Sequence, residues 1–179
     1  MKLLQTIAIA FLIITGLQCK KNSNGTDVPG LPPATQSGAN TFGFLLNGVP
    51  WTPAGNNGSG NNLSIDYDPS FNNGSFGIHA YNVLNNQNDF FYIGTWNINN
   101  KSAPFNVDLS NNSNSFCGFY TSINCWLNSN DTLVKAKGSF FIDALDKQKR
   151  IIAGRFEFSL EKSGCPIINI TKGRFDFKF

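Results

Sequence analysis

Charged side chains are scarce in this sequence. Asp, Glu, Lys and Arg make up only 14% of its 179 residues, and histidine occurs once, at His79. The few basic residues are scattered along the chain instead of clustering with aromatics, so the electrostatic footprint of a nucleic-acid binder is missing. One histidine and no Gly-x-Ser-x-Gly element leave nucleophilic catalysis without its usual parts. Long apolar runs are lacking too. The run at 7–17 would measure about 16 Å as a helix, against a hydrocarbon core of about 30 Å, and so cannot cross it. Nothing after that run keeps a helical period of useful length, which argues against a helical domain. Cysteine is limited to four positions, and the spacings of Cys117, Cys125, Cys165 and His79 match no zinc pattern. Neither a metal nor any other cofactor is expected.

What is present begins with Lys2, the short apolar run and Cys19, the layout of an export leader that is cut away after residue 18. Bacterial lipoproteins carry lipid on a cysteine that becomes residue one after such a cut. Cys19 is therefore the expected lipid-attachment site, palmitate included, with plain secretion as the alternative. The expected address is the bacterial cell envelope, anchored in the outer membrane. Lys20 and Lys21, where acidic residues would mark surface export, favour its periplasmic side. Loss of the leader leaves 161 residues with 13 basic against 11 acidic side chains, a formal net charge of +2. Residues 19–40 are rich in Asn, Ser, Gly, Thr and Pro and cannot bury enough surface to offset their ordering entropy, so they read as a flexible tether. Residues 41–179 suffice for one domain with a core of its own.

About 25 asparagines and 17 phenylalanines describe that domain: many turns between many short half-buried strands. Asn47-Gly48 between two short extended runs is a hairpin signal, and Pro50 places the second run at a sheet edge. Further runs fall at 63–67, 75–83, 89–98, 105–109, 115–121 and 125–128. The run at 89–98 is apolar on both faces and reads as a central strand covered on both sides. From Thr132 onward the period-two alternation is cleanest, with polar turns expected at 146–149, at 162–164 and at Lys172-Gly173. The expected fold is all-β, a single antiparallel β-sandwich or partly closed β-barrel.

Three segments carry a family resemblance: Phe42-Gly-Phe-Leu-Leu-Asn-Gly-Val-Pro-Trp51, Ile151-Ile-Ala-Gly-Arg-Phe-Glu-Phe158 and Ile170-Thr-Lys-Gly-Arg-Phe-Asp176. Together they resemble a family of small lipoproteins from Bacteroidota-type bacteria that closes on a Gly-Arg-Phe-Asp motif. The resemblance implies an envelope location and a single β domain, in a family without an assigned activity.

Once Cys19 is given to lipid, the oxidising compartment implies one disulfide and one odd thiol among Cys117, Cys125 and Cys165. All three pairings are open. A bridge from Cys165 to one of the others is preferred, because it would tie an irregular region to the C-terminal strands. The closed loop of about 40 residues would then contribute roughly 3.5–4 kcal/mol. His79 reads as a structural or surface histidine. Asp66 and Asp68 share one strand face near Asn72 and Asn73, oxygen donors that suit Ca²⁺, yet the twelve-residue loop pattern is absent and turn chemistry is the expected use. Arg174 and Asp176 read as a solvated ladder. Trp51 and Trp126, beside loops, are the candidate ligand-binding residues, with Tyr81, Tyr92 and Tyr120 in support, while Trp96 lies on a run that looks buried. The expected role is a non-enzymatic envelope lipoprotein with a structural, accessory or binding domain. The alternative is a glycan- or peptide-binding module of an uptake or adhesion complex. The expected partners are the membrane through the anchor, and other envelope proteins or glycan.

Overall fold

Every second side chain along Ile151–Glu161 is apolar, and in the computed structural model this run is a strand whose Ile152, Phe156, Phe158 and Leu160 enter the core. The structure describes residues 28–179 except 57, 59, 85–87, 111–113 and 122. The leader, Cys19 and the first part of the tether lie outside the described residues. Among the described residues eleven strands follow in order: β1 (Thr41–Leu46), β2 (Val49–Trp51), β3 (Leu63–Asp68), β4 (Ser75–Asn82), β5 (Asp89–Thr95), β6 (Phe105–Asp108), β7 (Ser115–Tyr120), β8 (Trp126–Asn128), β9 (Lys135–Asp146), β10 (Ile151–Glu161) and β11 (Ile168–Lys178).

They form two antiparallel sheets, one of six strands in the order β2-β1-β11-β10-β9-β6 and one of five in the order β3-β4-β5-β7-β8. The architecture is a sandwich, and neither sheet closes into a barrel. The hairpin between β1 and β2 turns at Asn47 and Gly48, both with positive φ (49° and 85°), the backbone that an Asn-Gly turn supplies. Pro50, with no donor to give, sits on β2 at the edge of the larger sheet. Lys172-Gly173 does not turn the chain. It makes an irregularity within one continuous β11, where the register slips against both β1 and β10. Lys172 takes a φ of 54°, and Gly173 lies under the Phe156 ring, where a Cβ would come within 2.4 Å.

Aromatic side chains fill the space between the sheets. Phe44 stacks on Trp51 at 4.7 Å and meets Phe91 at 5.0 Å, while Phe42 stacks on Phe156 at 5.5 Å. A second group joins Phe76, Phe140 and Phe175, with centroids 5.6–6.1 Å apart. Each such buried ring contributes on the order of 1.5–3 kcal/mol.

The segment read as tether is not free along its whole length. Gly30 packs against Pro50, Pro32 against Gly43, and Gly38 against Ile151 and Lys178, so the chain crosses the outer face of the six-stranded sheet as a strap. Asp176, only 1% exposed, holds it there. Its carboxylate accepts hydrogen bonds from Thr35 Oγ1 at 2.6 Å, Ser37 N at 2.9 Å and Gly38 N at 2.7 Å. Burial pushes this carboxyl up, but the hydroxyl and backbone donors outweigh it and hold the group below its ordinary value. Arg174 is buried as well and donates to the Pro32 carbonyl at 3.3 Å. The Arg174 and Asp176 pair is therefore no solvated ladder. Sequence alone shows them on the polar side of a strand and cannot show what crosses that side.

Candidate functional site

Among the described residues, no strap crosses the outer face of the five-stranded sheet. Alternation along β4, β5, β7 and β8 sends Phe76, Ile78, Phe91, Ile93, Cys117, Phe119 and Leu127 inward. Tyr81, Phe90, Tyr92, Phe116, Tyr120 and Trp126 therefore point outward. Tyr81, Phe90, Tyr120 and Trp126 stand in one cross-strand row, with His79, Tyr92, Gly118 and Asn128 in the next. Trp96, just past the end of β5, meets Phe116 at 5.1 Å. Phe116 continues to Tyr92 at 5.8 Å, Tyr92 to Phe90 at 5.7 Å and Phe90 to Tyr81 at 4.5 Å. Trp126 flanks both Tyr92 (5.6 Å) and Phe90 (6.0 Å), each at 21° between planes.

Two glycines make this arrangement possible. A Cβ on Gly118 would lie 2.3 Å from the Tyr92 ring, and one on Gly94 would lie 2.3 Å from the Phe116 ring. Both rings thus lie down over bare backbone, which lets Tyr92 reach Trp126 across β7. Gly94 and Gly118 are buried on an outward face because rings cover them. The same covering desolvates the Tyr92 hydroxyl, and burial raises its pKa. Trp126 remains 41% exposed, and the other rings are half-buried.

Polar groups edge the rings. The Tyr120 hydroxyl donates to Asn124 Oδ1 at 2.5 Å, and His79 Nε2 lies 3.3 Å from the Asp66 carboxylate. Ser64, paired with His79 in the ladder, and Asn128 complete the margin. Asp68 accepts from Ser70 Oγ, Ser70 N and Phe71 N, and the Ser70 hydroxyl with these backbone donors holds its carboxyl below the ordinary value. That is turn chemistry. Among the described residues no group of three or more His, Cys, Asp or Glu could hold a metal ion. His79 and Asp66 lie on an open strand face, and open clefts elsewhere, near Pro32 and Thr52 or near Tyr67 and Arg150, include neither.

The candidate tryptophans part company. Trp126 belongs to the ring face. Trp51, 4% exposed, lies in the core against Phe44 and gives its indole N–H to Asp89 Oδ2 at 3.2 Å, so it cannot meet a ligand. Trp96 is part of the face instead of the interior. Phe90 and Phe116 are the members that reasoning on Trp and Tyr overlooks. Their signal is the pair of segments Phe-Phe-Tyr-Ile-Gly-Thr-Trp (90–96) and Phe-Cys-Gly-Phe-Tyr (116–120), where glycine alternates with rings on one side. Likewise β5 is central, between β4 and β7, but the opposing sheet covers only one of its faces. The other is apolar because rings shingle over one another.

Cys125 and Cys165 form a disulfide with Cα atoms 5.8 Å apart, joining the residue before Trp126 to the turn between β10 and β11. The edge of the ring face is thereby fastened to the larger sheet. The ion pair of Lys162 with Asp131 at 2.8 Å fastens the same neighbourhood. Cys117 is the odd thiol, buried between the sheets, and burial pushes it up to about 12. No family model matches the chain, and neither the curated proteins nor the solved structures contain a match.

Proposed function

We propose that the chain is a non-enzymatic recognition module held at a bacterial envelope by lipid on Cys19, and that it recognises a glycan through the rings around Trp126. The observation that carries this reading is the run of shingled rings on an outer sheet face, laid down over Gly94 and Gly118. A pyranose offers weakly positive C–H bonds on its flat side and hydroxyls around its rim. The negative faces of aromatic rings suit the first, and the Asn, Ser and His margin suits the second. An extended peptide would instead seek unpaired main-chain groups at a strand edge, whereas Tyr81, Phe90, Tyr92, Phe116 and Tyr120 stand on β4, β5 and β7, whose backbone is paired on both sides, and Trp126 alone of these strand-borne rings lies on an edge strand, β8. The strap lies across the other sheet, which leaves it and the ring face on opposite sides of the sandwich.

Cell fractionation of the Cys19→Ser chain, together with a glycan array of the full chain with and without Trp126→Ala, tests the reading. The Cys19→Ser protein should leave the membrane fraction, and array signal should depend on Trp126. Equal membrane retention would remove the anchor. Array signal indifferent to Trp126 would remove the recognition face.

A further inference from the structure

The two sheets differ in charge as sharply as in covering. The strands of the six-stranded sheet contain Lys135, Lys137, Arg155, Lys172, Arg174 and Lys178. Among the described residues, the five strands of the other sheet contain neither Lys nor Arg. The carboxylates on the outward side of that sheet are Asp66 and Asp68 on β3, and Asp68 is spent within its own turn. A sulfated, phosphorylated or uronic-acid chain laid on these rings would lose water from its charges, meet no Lys or Arg on these strands and face Asp66. Such burial of an unpaired charge is unfavourable.

Shape narrows the ligand further. The rings run without a break from Trp96 through Phe116, Tyr92 and Phe90 to Tyr81, with neighbouring centroids 4.5–5.8 Å apart and Trp126 alongside. A file of this kind offers stacking to several consecutive sugars. We infer that the ligand is an uncharged, extended polysaccharide chain lying along the ring file, held by stacking and not by charge. This rests on the reading of the ring face as the recognition surface.

The test is affinity electrophoresis and calorimetry of the full chain in detergent. Hydroxyethylcellulose and amylose serve as neutral probes, polygalacturonate and alginate as anionic ones. Neutral chains should bind and anionic chains should not. Affinity should change less than about twofold as ionic strength rises from about 0.01 to about 1 M, where the Debye length shrinks from roughly 30 to 3 Å. Trp126→Ala should weaken binding by roughly two- to tenfold, the scale of one lost ring stack, with an unchanged far-ultraviolet dichroism spectrum certifying the fold. Ser64→Lys, which adds a cation to the exposed margin, should create binding to polygalacturonate that fades with salt. Preference for anionic chains that still needs Trp126 overturns this inference and leaves the recognition face standing. Absence of Trp126-dependent binding to either kind of chain overturns both. So does a dimer in sedimentation that Trp126→Ala dissolves, because a second copy then covers the rings.

Discussion

The two outer faces of this sandwich solve the same problem in opposite ways. Each is the back of a sheet whose front is packed with Phe. On the six-stranded sheet, charged side chains point outward, and the chain's own residues 32–40 lie across them, held by Arg174 and Asp176. On the five-stranded sheet, rings point outward and cover one another. The difference shows that a buried polar pair and a bare aromatic surface can arise from equally regular strands. What crosses the face decides which is which.

Cutting the fastening between the sheets should have the largest effect on that contrast. Cys165→Ser opens a 40-residue loop, for which loop-closure entropy alone gives about 4 kcal/mol. The midpoint of urea unfolding should fall accordingly, and the Trp126 corner should gain proteolytic sensitivity. Next comes the strap. Asp176→Ala removes the acceptor for Thr35, Ser37 and Gly38 and should cost about 2–3 kcal/mol, since hydrogen bonds to a charged group are worth about 1.5–3. Limited proteolysis between residues 33 and 39 should then appear. Acid should mimic this substitution. A carboxyl held below its ordinary value contributes stability above its unfolded pKa, near 3.8, and loses it as pH falls through the folded value. Strap protection, read by amide exchange at Ser37 and Gly38, should therefore persist at pH 5 and fail only well below about 4.

Gly118→Ala acts on the other face. The new methyl meets the Tyr92 ring, so the ring must stand up from β7, at roughly 1–3 kcal/mol for an overpacked contact. Loss of glycan binding should accompany it, and a near-ultraviolet dichroism change would report the displaced ring. Trp126→Ala should cost stability least, about 1 kcal/mol from two lost stacking contacts, while glycan binding should weaken. A stability loss much above that would make Trp126 a structural residue and blur the contrast. Smallest is the expected response of Cys117, which should ignore a thiol reagent at neutral pH in the folded state and react on unfolding, because a buried thiol pushed up to about 12 holds almost no thiolate.

Much of the fold was legible because alternation is a local property. The hairpin at Asn47-Gly48, the edge position of Pro50 and the last strands follow from residues near one another in the chain. The ring face was only half legible. Tyr81, Tyr92, Tyr120 and Trp126 stand out by type, but Phe90 and Phe116 look like core residues until the partner sheet is seen to lie on the other side. Trp51 misled because its neighbourhood of turns suggested exposure, while its position opposite Phe44 on an edge strand turned it inward. The Lys172-Gly173 step looked like a turn because an irregularity within a strand and a turn use the same residues.

From its sequence, this chain could be only a β protein: period-two alternation with 17 phenylalanines has no helical face to bury. The choice of Cys125 over Cys117 as the partner of Cys165, the docking of the strap on Asp176 and the openness of the Trp126 face were settled only in three dimensions. Each depends on which distant segments come to lie over a given side of a strand, and the side-chain pattern of a strand names its two sides without saying what, if anything, will cover them.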